Sequence, residues 1–192
     1  MADLDRLRAG DEGALADLVA EVWKPLVLYL RRILEEEDSA EDAAQEALIR
    51  FWEHRERWTG GTDRAVVFRI GRNVALDLRR RVRARIRRAA HQANLLAPEP
   101  SDPERDAEAS ELRSLLEEAL ENLPPRRREV FDLVRFRGLT YREVGEVLGL
   151  STQTVANHLT LAHKDLRRFL KAPSGRSATG NDATEDRRSS DG

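Results

Sequence analysis

Hydrophobic residues in the N-terminal part of the chain recur at helical spacing. Between about Asp11 and Leu34 they fall at every third or fourth position, which places them on one face of a helix. The members of this apolar face are Leu15, Leu18, Val19, Val22, Trp23, Leu26, Val27, Leu30 and Ile33. The pattern predicts a first long helix with one buried face and a polar outer surface.

A second helix is predicted to begin at Ser39, because serine is a favoured N-cap and Asp42 follows three residues later, as in a capping box. Its buried face is predicted to consist of Ala44, Ala47, Leu48 and Phe51. The opposite face is largely acidic and consists of Asp42, Gln45, Glu46, Ile49, Arg50 and Glu53. An exposed acidic face with one isoleucine suits docking onto a basic partner helix.

A third helix is predicted from about Asp63, after a glycine-containing loop at residues 58–62. Its apolar face consists of Val67, Ile70, Gly71, Val74 and Leu78. The opposite face repeats arginine at three- and four-residue steps and consists of Arg69, Arg72, Asn73, Leu76, Arg80 and Arg83. This spacing favours a cationic strip that binds phosphates, with Asn73 as a hydrogen-bonding group for a base edge. The alternative is a solvated helix face without a partner.

The loop at residues 58–62 is a second candidate feature for nucleic-acid binding. Trp58 and His54 lie near its glycines, and together they offer a place for a base extruded from the stack. The alternative is that Trp58 belongs to the core, which is the more common state of a single tryptophan. Both interpretations stay open at the level of the sequence.

The chain is predicted to contain two helical domains. Residues 92–106 lose hydrophobic periodicity and gain proline, which indicates a flexible linker. Asp102 and Pro103 are typical of an N-cap and a first-turn proline, so a helix is expected from there to about Glu121. No strand pattern is apparent, and the tail from Ala172 has no large apolar residue, which is typical of disorder. We therefore expect an all-α fold with a three- to four-helix domain at 1–91, a linker at 92–106, a second domain at 107–171 and a tail at 172–192.

Residues 139–159, LTYREVGEVLGLSTQTVANHL, have the pattern of a helix-turn-helix. Thr140 and Glu143 form a capping box, Gly149 suits a left-handed C-cap and Ser151 caps the next helix. Gly145 supplies the small residue that a close crossing of two helices requires. The buried positions are predicted to be Val144, Val147, Leu148, Val155, Leu159, Ala162 and Leu166.

The second helix of this motif carries candidate DNA contacts, since helix-turn-helix proteins place the N-terminal part of that helix in the major groove. Glutamine and asparagine pair with adenine edges, and threonine contacts thymine methyl groups. The candidates are Thr152, Gln153, Ala156, Asn157, His158 and Thr160. The alternative is a plain helical hairpin within a bundle.

The distribution of charge indicates two partners of opposite charge. The formal net charge is only −2. Acidic residues nevertheless dominate from Glu35 to Glu46, whereas arginines dominate from Arg64 to Arg88 and are opposed there only by Asp77. Separate blocks of this kind suit one basic partner and one polyanionic partner.

The composition argues against several classes of function. Cysteine is absent, which excludes disulfides and thiolate metal sites, and the histidines at 54, 91, 158 and 163 show no metal-ligand spacing. No apolar run approaches the ~20 residues of a membrane span, and the N-terminus does not have the pattern of a signal peptide, so a cytoplasmic protein is expected. No nucleophile, base or metal constellation is apparent, so we expect no enzyme activity, no metal and no cofactor.

Three segments in this order resemble the extracytoplasmic-function sigma factors of the sigma-70 superfamily. They are SAEDAAQEALIR at 39–50, IGRNVALDLRRR at 70–81 and LPPRRREVF at 123–131, followed by the helix-turn-helix. The resemblance extends over nearly all of the chain between Asp11 and Leu170. The stretch ANHL at 156–159 is similar to the iron-citrate-regulator-like branch of this family.

The resemblance implies that the chain binds core RNA polymerase, directs it to promoters and helps to melt the −10 region. The acidic face of the second helix would bind the clamp coiled coil of the largest polymerase subunit, and the flap would be a further contact. The resemblance assigns the −10 element to Arg69, Arg72, Asn73, Arg80 and Arg83, and the −35 element to the helix-turn-helix. It also admits an anti-sigma factor as a partner.

The sequence departs from the family pattern in two places. Val66 and Val67 stand where the family usually has Trp-Leu. The recognition helix lacks basic residues at positions where the family often has them, namely Ala156, His158, Leu161 and His163. The competing hypothesis is a free-standing helix-turn-helix regulator of the LuxR type with a sensory or dimerisation domain. The acidic face of the second helix distinguishes the two hypotheses, because a free-standing regulator does not need it.

Overall fold

The computed structural model describes residues 4–34, 36–58, 60–92 and 115–171. Throughout these residues the regular structure is helical, without a strand, which confirms the predicted all-α fold class. The helices are α1 (Leu4–Arg8), α2 (Glu12–Leu34), α3 (Glu37–Glu53), α4 (Asp63–Gln92), α5 (residues 115–121), α6 (Pro125–Arg135), α7 (Tyr141–Leu148) and α8 (Thr152–Lys171). A short 3-10 turn, Arg55–Arg57, follows α3.

Helices α2, α3 and α4 pack against one another and form the N-terminal unit. The apolar face predicted for α3 is buried throughout, and so is most of the face predicted for α4. Gly71 allows α4 to approach α2 closely, because a Cβ at this position would lie 3.1 Å from Leu26 Cδ1 and 3.3 Å from Leu30 Cδ1. The close packing of these three helices fixes the directions of their outer faces.

The predicted start of α3 at Ser39 is wrong. The helix begins at Glu37 with Glu36 as N-cap, and Ser39 lies inside its first turn. The Ser39 hydroxyl donates to the Glu36 carboxylate at 2.6 Å and does not cap the backbone. Acidic residues at 37 and 38 suit the positive end of the helix dipole, so the helix extends beyond the expected serine cap.

The C-terminal unit contains the predicted helix-turn-helix in α7 and α8. The Thr140 hydroxyl accepts from the Glu143 N–H at 3.2 Å while the Glu143 carboxylate accepts from the Thr140 N–H at 2.8 Å, which completes the capping box. Gly149 has φ of 66°, and the Ser151 hydroxyl accepts from the Thr154 N–H at 3.1 Å. At Gly145 a Cβ would lie 2.6 Å from the Leu150 carbonyl oxygen. Its small size therefore serves the turn between the two helices.

The predicted linker lies outside the described residues except for residue 92, and so do the predicted tail and the helix start at Asp102. The two units meet directly, because α7 packs against α4. None of the helices in the described ranges is long and apolar enough to cross a membrane.

Candidate nucleic-acid and protein interfaces

The acidic face of α3 is exposed, as the spacing predicts. Ile49 is 45% exposed, and the Glu46 carboxylate accepts from Arg50 Nε at 2.6 Å. Asp42, Gln45 and Glu53 are exposed on the same face. The opposite face is rich in buried alanines that bring α3 close to its neighbours, which leaves the acidic residues outside. This geometry offers carboxylates around one apolar side chain to a basic partner.

The C-terminal part of α4 presents an exposed cationic surface. Asn73, Arg80 and Arg83 are exposed as predicted. Arg80 forms an ion pair with Asp77 three residues before it, a type of surface pair that contributes little to stability. The surface extends beyond the predicted strip, because the arginines at 81, 85, 87 and 88 are also exposed. Several cations along one exposed helix suit the phosphates of a nucleic acid.

Trp58 is held at the edge of the core. Its indole Nε1 donates to the Phe51 carbonyl at 3.2 Å, and its own carbonyl accepts from Arg8 Nε at 3.1 Å. The Arg69 guanidinium lies 5.8 Å from the centre of the indole ring. These contacts favour the interpretation of Trp58 as a core residue and give it a second role in positioning Arg69.

Arg72 is not part of the exposed strip, although the sequence places it there. Its side chain is 20% exposed, and its Nε and Nη2 donate to the Glu129 carboxylate of α6 at 2.8 and 3.4 Å. The Tyr29 hydroxyl donates to the same carboxylate at 2.9 Å, and Arg126 Nη1 does so at 3.1 Å. Glu129 thus gathers three donor residues at the junction of the two units.

The junction shifts the pKa of the groups that form it. Burial alone would raise the pKa of Glu129, but the hydrogen bond and charge of Arg72, with Tyr29 and Arg126, outweigh burial and lower it. Burial and the charge of Glu129 raise the pKa of Tyr29 well above its usual value. Glu129 is therefore ionised and Tyr29 neutral at neutral pH, which is the state that the hydrogen bonds require.

Further polar contacts join the units on either side of Glu129. Arg32 pairs with Asp132 at 3.0 Å, and the Thr62 hydroxyl donates to the Glu143 carboxylate at 2.8 Å. The Arg64 guanidinium donates to the Arg137 carbonyl. Helix α7 thus covers the end of the glycine loop that the sequence suggests for an extruded base.

The predicted DNA face of α8 is open. Thr152, Gln153, Asn157 and Thr160 are exposed, and Ala156 is half-buried beside them. Gln153 Nε2 donates to Asn157 Oδ1 at 3.1 Å, and the Thr160 hydroxyl donates to the Ala156 carbonyl at 3.0 Å. The amide groups therefore position each other.

His158 lies off this face. Its ring is half-buried, and its Nδ1 is enclosed without a hydrogen-bond partner in the described part of the chain. At 3.6 residues per turn, position 158 lies on a different side of α8 from Gln153 and Thr160. The prediction that His158 contacts DNA therefore has no support from its position.

The open face of α8 continues as a basic surface that the sequence analysis missed. Lys164, Arg167, Arg168 and Lys171 are exposed and follow Thr160 at helical spacing. Arg135 of α6 lies beside them, with its Nη2 3.4 Å from Nε2 of His163. The signal was available, because the spacing that defines the face from Gln153 to Thr160 extends without a break to Lys171.

The perturbed titratable groups of the described residues lie at helix ends or at the junction of the units. They are Asp11, Tyr29, Asp63, Arg72, Glu129 and Glu143. Within the described ranges, no group of three or more His, Cys, Asp or Glu side chains is arranged to hold a metal ion.

Two family models match the chain, and they match it in separate places. Residues 18–86, which include α3 and most of α4, match the model of sigma-70 region 2. Residues 113–166, which include α6, α7 and most of α8, match the model of sigma-70 region 4. The acidic face of α3 and the predicted DNA contacts of α4 and α8 thus lie within matched regions, whereas the basic extensions at residues 87–88 and 167–171 lie just beyond them.

Curated relatives and a solved structure are similar over most of the chain. The sigma factor SigE of Mycolicibacterium smegmatis is 30% identical over 88% of this chain and 67% of its own. SigL of Mycobacterium tuberculosis is 30% identical over 89% of this chain and 97% of its own. CnrH, solved in complex with the cytosolic domain of CnrY, is 26% identical with a TM-score of 0.62 and covers 89% of this chain and 96% of its own.

Proposed function

The chain belongs to the extracytoplasmic-function sigma factors of the sigma-70 family, and we propose that it is a promoter-specificity subunit of bacterial RNA polymerase. The observation that carries the proposal is the combination of three surfaces in one chain: an exposed acidic face on α3, a cationic α4 and an open recognition helix α8. A free-standing LuxR-type regulator needs only the last of these, and the match to sigma-70 region 2 leaves no basis for that hypothesis.

The acidic face of α3 is the proposed contact with core polymerase. Its carboxylates would meet the basic clamp coiled coil of the largest subunit, with Ile49 as the apolar contact at the centre. The flap is the proposed partner of the C-terminal unit. We keep the division into 1–91, 92–106, 107–171 and 172–192 as a proposal for the limits of these functions.

We propose that the two DNA surfaces bind different promoter elements. Arg69, Arg72, Asn73, Arg80 and Arg83 would hold the −10 region as it opens. The α8 face, from Thr152 to Thr160, would read the −35 element through amide and hydroxyl groups. The face from Thr152 to Thr160 has no basic residue, so its phosphate contacts would come from the basic surface that begins at Lys164.

The remaining assignments follow from this role. The chain would act in the cytoplasm with the polymerase, without a catalytic activity or a cofactor of its own. CnrH was solved with the cytosolic domain of CnrY, and we propose that this chain likewise accepts an anti-sigma partner. Its place in the iron-citrate-regulator-like branch stays a prediction.

Copurification with core polymerase tests the proposal. We expect the wild-type chain to retain core polymerase and Asp42→Arg plus Glu46→Arg to lose it, since like charges would face a basic partner at a cost of several kcal/mol. Glu118→Arg plus Glu121→Arg is the matched control, because it reverses two exposed carboxylates on α5. Equal retention by the folded Asp42 and Glu46 variant and by the control would contradict the proposed polymerase contact.

A further inference from the structure

The hydrogen bonds and ion pairs between the two units place donors and acceptors on opposite sides of the junction. Every donor lies on the N-terminal unit and every acceptor on the C-terminal unit, among the contacts that the described residues make. The donors are Tyr29, Arg32, Thr62, Arg64 and Arg72, and the acceptors are Glu129, Asp132, the Arg137 carbonyl and Glu143. A protein surface that donates to an anionic partner throughout has the polarity of a nucleic-acid interface.

We propose that the C-terminal unit occupies the −10 DNA surface of its own chain, with the Glu129 carboxylate in the position of a DNA phosphate on Arg72. DNA and the C-terminal unit then compete for the Arg72 guanidinium. We call the chain closed while the two units are in contact, and the −10 surface stays covered until they separate. The identification of the displaced ligand as −10 DNA rests on the proposed function. The contact between the two units rests on the geometry alone.

The Glu129 carboxylate occupies the Nε–Nη2 edge of Arg72, which is the edge that a phosphate would use for bidentate binding. Arg72 Nε and Nη2 both face the Glu129 carboxylate, and the guanidinium–carboxylate pair is the type that a phosphate replaces with similar geometry. The carboxylate in turn accepts from Tyr29 and Arg126, so its lone pairs are satisfied within the junction. A phosphate can occupy this edge of Arg72 only after Glu129 has left.

Contacts between α7 and the loop before α4 extend the competition to that loop. Thr62 is bound to Glu143, and the Glu146 carboxylate lies against Gly61. A base extruded toward this loop would meet α7 in the closed arrangement. The Glu129 contact and the covering of the loop therefore act on the same side of the N-terminal unit, and one separation of the units would release both.

Separation of the two units would break the ion pairs of the junction. Each part-buried ion pair stabilises the closed state only while both partners stay together, and removal of one partner leaves the other without compensation. A DNA phosphate could pair with the charge of Arg72 after the two units have separated.

Distance measurements and DNA binding on the full-length chain test this competition. The chain has no cysteine, so E56C and E121C place one spin label on each unit at exposed positions outside the candidate DNA surfaces. In this background we would compare Glu129→Gln, Tyr29→Phe and Arg72→Ala with Glu118→Gln. The control removes the same charge from an exposed residue of the same unit. The binding probe is a short fluorescent single-stranded oligonucleotide.

We expect Glu129→Gln to lengthen the label distance and to tighten oligonucleotide binding about fivefold or more relative to Glu118→Gln. Tyr29→Phe should change both quantities in the same direction but less. Arg72→Ala should lengthen the distance without tighter binding, because it removes the DNA contact together with the closing contact.

Two results would overturn the competition. One is a Glu129→Gln variant that matches Glu118→Gln in distance and affinity, and the other is an Arg72→Ala variant that gains as much affinity as Glu129→Gln. Failure of the proposed function would give a different result. The wild-type chain would then not bind core polymerase, while the variants would still show the distance changes.

Discussion

The two candidate DNA helices, α4 and α8, differ in how much of their predicted surface is free. On α8 the amide groups of Gln153 and Asn157 are exposed and bond to each other. On α4 Arg72 is bound to Glu129 of the other unit, and Arg69 lies over Trp58. We infer that α8 is ready for duplex DNA in the closed chain, whereas α4 becomes available in full only after the units separate.

This difference suggests an order of events at a promoter. The −35 element would be bound first through α8, because no contact between the two units has to be broken there. The exposed C-terminal part of α4, with Arg80 and Arg83, would meet phosphates next. Arg72 and the glycine loop would come last, together with strand separation at the −10 element.

The largest effect is expected from Gly145→Val, which should damage α8 and leave α4 intact. The new Cβ would lie 2.6 Å from the Leu150 carbonyl oxygen, so the backbone of the turn would have to move. We expect a loss of about 3 kcal/mol in the free energy of unfolding and loss of duplex binding. Urea unfolding and duplex titration measure the two effects.

Gly60→Val is the control for this change, because a Cβ at Gly60 meets no atom within 4 Å. Its unfolding and its duplex binding should stay close to those of the wild-type chain. If both glycine variants unfold at the same urea concentration, the close approach in the turn is not a requirement of the fold.

The next effect concerns base reading by α8. Gln153→Ala or Asn157→Ala should reduce discrimination of the −35 element by about 1–3 kcal/mol for each bidentate amide–base pair that the substitution removes. Because the two amides bond to each other, the double variant should lose less than the sum of the single variants. Titration of matched and mutated −35 duplexes measures discrimination.

Lys164→Ala sharpens this experiment, because Lys164 lies on the same face but is expected to contact phosphate. It should weaken binding to both duplexes equally and leave discrimination unchanged. A wild-type chain that binds both duplexes with equal affinity would mean that α8 does not read bases.

A smaller effect is expected on the phosphate contacts of α4. Arg80→Ala with Arg83→Ala removes two exposed cations, so the log–log slope of DNA affinity against salt should shrink by up to about 2. Asn73→Ala removes no charge and should keep the wild-type slope. An unchanged slope in the arginine variant would leave Arg80 and Arg83 as solvated charges.

The smallest expected effect is that of acid on the junction. Burial would raise the pKa of Glu129, but Arg72, Tyr29 and Arg126 lower it. The Glu129 carboxylate therefore stabilises the contact between the two units at neutral pH. That contribution should persist down to about pH 4.5, the ordinary value, and be lost as pH falls through the lowered pKa. The label distance should lengthen there in the wild-type chain, and less in Glu129→Gln. A wild-type distance that is constant down to acid unfolding would contradict this role for Glu129.

The faces of single helices could be predicted from the sequence because each depends on its own spacing. The burial of Ala47 and Phe51, and the capping box of Thr140 with Glu143, follow from residues within a few positions of each other. The start of α3 was harder to predict, since Ser39 competes with acidic neighbours that also favour a first turn.

The partner of Arg72 could not be predicted from local pattern. Glu129 lies 57 positions away, and nothing in the spacing of either helix indicates that the two residues meet. Periodicity identified the correct side of α4 but contained no information about what covers it. The basic extension of the α8 face is different, because it obeys the same spacing as the predicted contacts and could have been included.

Promoter opening by reconstituted polymerase measures whether the chain acts as a promoter-melting sigma factor. Start sites that appear when the chain is overproduced would supply a natural promoter, and core polymerase with the purified chain would be probed on it with permanganate. We predict unpaired thymines around −10 with the wild-type chain and fewer with Asn73→Ala at matched occupancy. An absence of unpaired thymines, with the wild-type chain bound to core polymerase, would contradict a role of this chain in promoter opening.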